Sequence, residues 1–114
     1  MLLVLAAATV LIAPQSQSGP ALISYDQSVR CAGLTQAASE LEGGESGEGR
    51  ALFDAALYWS LAAMQAAQAS GRSTVLAEGD QTRARIVSVR QLSSGDAAAR
   101  AELDRCRRLT PRLD

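Results

Sequence analysis

Cys31 and Cys106 are the residues of this sequence whose chemistry is easiest to specify. They stand near the two ends of the chain that follows the apolar N-terminus, and with only two cysteines there is one possible pairing. A redox-active pair usually sits as Cys-x-x-Cys, whereas these are separated by 75 positions. Zinc would need further soft ligands, and the chain has no histidine and no third cysteine. The pair therefore reads as a structural disulfide, which belongs in an oxidising compartment. Closing so long a loop stabilises a fold by about 4 kcal/mol on the chain-entropy model, a large share of the stability of a small domain.

The second chemical cluster is acidic. Glu40, Glu42, Glu45 and Glu48 are interleaved with Gly43, Gly44, Gly47 and Gly49. An oxygen-ligand calcium loop would use such carboxylates, but the alternating Asp or Asn pattern with a closing Glu is missing, so a solvated, flexible connector is the better reading. The glycines do not make a phosphate cradle either, because no strand precedes them and no Lys or Thr follows.

A third cluster, Arg100, Arg105, Arg107, Arg108 and Arg112, crowds the C-terminus. Glu102 and Asp104 lie among these arginines, and cations near a helix C-terminus complement its dipole. A solvated, partly self-paired helix end follows, with an anion or partner site as the second reading.

For catalysis the inventory is thin: no histidine, no lysine for a Schiff base, and no serine or aspartate in a recognisable nucleophile motif. The expectation is a chain that is not an enzyme and needs no cofactor or metal; carboxylate-based hydrolysis is the remote alternative. A net charge of −1 argues against nucleic acid and polybasic membrane binding. Charge is nevertheless uneven. From Ala21 to Ser70 six acids face two arginines, and from Gly71 to Asp114 nine arginines face six acids, so early and late helices should attract one another.

These residues need elements to hold them. Leu2 to Ala13 is an apolar run broken only by Thr9, ended by Pro14 and followed by polar Gln15 to Gly19. It is too short to span a bilayer and suits the core of a signal peptide, although no basic residue precedes it. Small residues offer cleavage after Ser18 or Ala21; Ala21 is preferred, giving a signal peptide over 1–21 and a domain over 22–114. The many alanines and arginines, with no lysine or asparagine, suggest GC-rich bacterial coding, and the expected location is periplasmic or secreted.

Glycine and serine punctuation divides the domain into four helical segments, at about 24–42, 48–70, 74–93 and 96–109, with no strand-like alternation. Ser24 with Gln27 resembles a capping box, Glu45 and Glu48 suit the second N-terminus, Ser73 or Thr74 caps the third segment, and Asp96 opens the fourth. Short links between consecutive helices make an all-α, up-down-up-down four-helix bundle with the first and last segments adjacent and antiparallel. That topology brings Cys31 and Cys106 to the same end.

The inward faces expected are Cys31, Leu34, Ala38 and Leu41 on the first segment and Phe53, Leu57, Ser60, Met64 and Ala67 on the second. On the third they are Val75, Gly79, Thr82, Ile86, Val89 and Ser93, and on the fourth Ala99, Leu103 and Cys106. The second segment also carries Leu52, Trp59, Ala63 and Ala66 on its other side. It is therefore either central in the bundle or, with Trp59 as anchor, the face for an unknown protein partner or a homodimer. Function at this stage is unknown beyond an expectation: an exported, non-catalytic binding or adaptor protein, or alternatively a structural protein of the cell envelope.

Overall fold

The computed structural model describes residues 23–112; the apolar run, the cleavage expected after Ala21 and the last two residues lie outside it. Four helices occupy most of the described chain: α1 (Tyr25–Glu42), α2 (Gly47–Ala69), α3 (Thr74–Ser93) and α4 (Ala97–Leu109). Each begins where a short polar side chain accepts a hydrogen bond from a backbone N–H of the first turn, which would otherwise lack a partner. Ser24 accepts from Gln27, Ser46 from Gly49, Ser73 from Leu76 and Asp96 from Ala99. The cap of α2 is thus Ser46 rather than its acids.

The fold is an all-α four-helix bundle. α1 and α2 run antiparallel, with Ser39 bonded to the Gly49 carbonyl at one end and Tyr25 packed with Ala67 at the other. Ser60 on α2 donates to Gln81 on α3, and α4 returns along α1 so that Cys106 meets Cys31. The topology is up-down-up-down, with α1 and α4 adjacent and antiparallel.

The bundle is compressed along one diagonal. α1 and α3 run parallel, with Tyr25 beside Ala77 at one end and Leu92 near Ala38 at the other, yet they touch closely. Gly33 makes this approach possible: a Cβ built there would lie 2.6 Å from the carbonyl carbon of Ala84. Consequently α1, not α2, is the central helix. Cys31, Ala32, Gly33, Leu34 and Thr35 are buried in succession, which a helix achieves only when neighbours surround it.

The compression also reassigns two expected faces. On α2 the inward side is Leu52, Ala55, Ala56, Trp59, Ala63 and Ala67, while Phe53 and Leu57 of the expected stripe are about half exposed. On α3 the buried residues are Ala77, Ser88 and Leu92, and Val75 and Ile86 face outward. On α3 small side chains, Ala77 and Ser88, take inner positions because its backbone approaches α1 at Gly33 and leaves little room for larger ones there. On α1 the expected face is buried except for Leu41, and on α4 Ala99, Leu103 and Cys106 point inward as the spacing predicts.

Candidate functional site

Cys31 and Cys106 form a disulfide with a Cα–Cα distance of 5.5 Å, inside the range such a bridge requires. It ties the central helix to α4, the shortest helix, and both sulfurs belong to buried residues. Arg30, one residue before Cys31, reaches across to α4: its Nε donates to Glu102 Oε2 at 2.8 Å and its Nη1 to the buried Ser88 hydroxyl at 3.3 Å. The arginine hydrogen bond holds the Glu102 carboxyl below its ordinary range, against the opposing effect of burial.

Two more ion pairs join early helices to late ones, in the sense the charge asymmetry predicts: Glu40 with Arg85, and Glu48 with Arg107. The connector expected across this acidic stretch is thus only residues 43–46: Glu40 lies in the last turn of α1 and Glu48 in the first turn of α2, and both are paired to arginines of α3 and α4. Among the described residues no three His, Cys, Asp or Glu side chains converge to hold a metal ion.

A polar group that sequence reasoning missed sits at the other end of α1. The Tyr25 hydroxyl donates to Asp80 Oδ2 at 2.7 Å, Arg83 also bonds Asp80, and the Arg72 guanidinium lies 4.1 Å above the Tyr25 ring. Burial, then the bond to Asp80, pushes the Tyr25 pKa up to about 12. The same bond, followed by that from Arg83, holds Asp80 below its ordinary value. No sequence signal marks a contact between residues 55 positions apart.

The residues expected to offer a partner surface lie elsewhere. Trp59 and Ala63 are fully buried, Leu52 nearly so, and Ala66 is partly buried against the Tyr25 cluster. This corrects the expectation: α1 and α4 cover that stripe, and Trp59 donates its indole N–H to Thr110 Oγ1. Apart from Leu41 on α1 and Leu109 on α4, the large apolar side chains that remain open are on the opposite side of α2 and on α3. They are Phe53, Leu57 and Leu61, with Val75, Leu76, Ile86 and Val87 beyond.

The concave features are shallow. A groove of about 270 Å³ between α2 and α3 is lined by Gln36, Ser60, Met64, Gln81 and Arg85 among others. Another of about 390 Å³ lies between α2 and the chain after α4, beside Asp54, Arg107 and Thr110. Among the described residues no helix is long and apolar enough to cross a membrane. Compared with protein-family models, with curated proteins and with solved structures, the chain matches none.

Proposed function

We propose that this chain is a non-catalytic binding or adaptor protein of the periplasmic or secreted space, acting through protein–protein contacts on its helical surface. The observation that carries the reading is the outward line of Phe53, Leu57 and Leu61 on α2. All three are at least half exposed, on a bundle whose own core is built largely from alanine. Large apolar side chains spaced by one helical turn and left in water form the kind of face that a partner covers. The disulfide supports the compartment, since such bridges persist where the surroundings oxidise.

The test is site-specific photo-crosslinking in cells that export the protein. A photoreactive side chain at Leu57 should give a discrete adduct with another polypeptide, and one at Arg100, on α4, should not. Leu57→Glu should weaken capture from the neighbouring Phe53 position while leaving the melting temperature unchanged. Absence of any adduct at Phe53, Leu57 or Leu61, or a Cys31–Cys106 pair found reduced in the cell, would remove the reading.

A further inference from the structure

Val75, Gly79, Thr82 and Ile86 recur at the four-three-four spacing of a helix-pairing seam, yet the line they form points away from α1. Val75 is 79% exposed and Ile86 42%. Gly79 is partly buried, and what an added Cβ would meet there is the Arg83 guanidinium, at 3.5 Å, the end of a flexible, largely exposed side chain that can swing aside for a neighbouring helix. We infer that this line is the seam of a two-fold homodimer, in which α3 packs antiparallel against α3 of a second copy. The inference rests only on that part of the proposed function which makes the outer helical surface a binding face, extends it from α2 to the adjoining line on α3, and names a second copy as the occupant there.

Self-complementarity selects a second copy. With the two-fold axis between Gly79 and Thr82, Gly79 of each copy lies opposite Thr82 of the other, and Val75 opposite Ile86. Small residues meet at the crossing point, where the helices must come closest, and larger aliphatic ones fill the seam on both sides. Charge agrees with this register. Glu78 and Arg85 flank the seam on the side of α2, where both line the groove with Gln36, Ser60 and Met64. Antiparallel pairing sets Glu78 of each copy against Arg85 of the other, with Arg85 still reaching Glu40 at 3.2 Å. Sliding the pair one heptad along would instead bring Arg85 against Arg85, which like-charge repulsion opposes.

α2 fits the same axis. Its Ser60 donates to Gln81 at 2.8 Å, which sets this part of α2 level with the centre of the seam. Leu61 and Leu57, beside Met64 on the outward side, are 65% and 50% exposed. The two-fold operation that joins the α3 helices brings Leu61 of one copy toward Leu61 of the other, so both helices contribute to one continuous interface.

Sedimentation of the oxidised, exported chain tests this. A dimer is expected at concentrations near 100 µM, roughly the upper range for a weak specific interface. Ile86→Glu and Val75→Arg, both at exposed positions, should each give a monomer with unchanged helical circular dichroism. Glu78→Arg should raise the dimer Kd about tenfold at low salt, and adding Arg85→Glu should restore it. A monomer throughout this range, or a dimer indifferent to both seam variants, overturns the inference. A monomer that still gives the Leu57 adduct with a different protein overturns the homodimer and leaves the proposed function standing; a dimer with no other adduct does the reverse.

Discussion

The indole N–H of Trp59 donates to Thr110 Oγ1 at 2.9 Å, joining the middle of α2 to the residue that ends α4. The Thr110 hydroxyl in turn donates to the Cys106 carbonyl at 2.8 Å. A fully buried indole is thus satisfied through a short chain of hydrogen bonds that ends on a disulfide-bonded residue. Thr110→Val preserves the shape but removes the acceptor, and should destabilise the fold by about 1–3 kcal/mol, the usual cost of a buried donor left unpaired. Urea unfolding of this variant against Thr110→Ser, which should recover most of the loss, is the measurement.

Reduction should be felt most by α4, whose buried residues are only Ala99, Leu103 and Cys106. Loss of the Cys31–Cys106 bond removes about 4 kcal/mol, and each kcal/mol shifts the melting temperature of a domain this size by roughly 4–8 °C. Because α4 and the Thr110 turn shield Trp59, its fluorescence should move to the red as α4 loosens. Melting and emission that stay unchanged after verified reduction would show that the helix docks without its covalent tie.

Gly33→Ala sets two effects against each other. Alanine favours a helix over glycine by about 1 kcal/mol, but its methyl would have to sit 2.6 Å from the Ala84 backbone. Backbone cannot move aside as a flexible side-chain end can, so overpacking should prevail, with a net loss of about 1–3 kcal/mol. Thermal melting of this variant decides it, and a more stable Gly33→Ala would mean that α1 and α3 lie farther apart.

Stability should depend on pH at both ends of the range. Glu102 has a folded pKa below its unfolded value, so its contribution is fully present above the unfolded glutamate pKa of about 4.3 and is lost as the pH falls below that and through the lower folded value. Tyr25 has the opposite sign. Its folded pKa is raised to about 12, so its contribution is complete below the unfolded tyrosine pKa of about 10 and fades as the pH climbs toward 12. Denaturant midpoints against pH should show both limbs, with Arg30→Gln flattening the acid limb and Tyr25→Phe the alkaline one.

What could be read from residues in order was local or singular. Ser24, Ser73 and Asp96 cap the helices because capping needs only a side chain and an N–H three positions on. The disulfide was legible because two cysteines allow one pairing. The faces of α2 and α3 were not. A heptad line such as Val75, Gly79, Thr82 and Ile86 shows that side chains share a face, but not which neighbour, if any, that face meets. The candidate surface at Leu52, Trp59, Ala63 and Ala66 failed for the same reason. Alanine next to tryptophan suits a close approach from a partner, and equally one from α1, and nothing short of the Gly33–Ala84 contact indicates that α1 stands in the middle.

That contact also governs how this protein can drift. A core assembled around Trp59 and Leu34 but otherwise written mostly in alanine, serine and threonine leaves little to hollow out, since few buried side chains can shrink. Most interior changes are enlargements, and they meet a neighbouring backbone. Sequence variation in such a fold should therefore collect on the large exposed side chains of α2 and α3, while the plainest residues, glycine and alanine in α1, become the least replaceable.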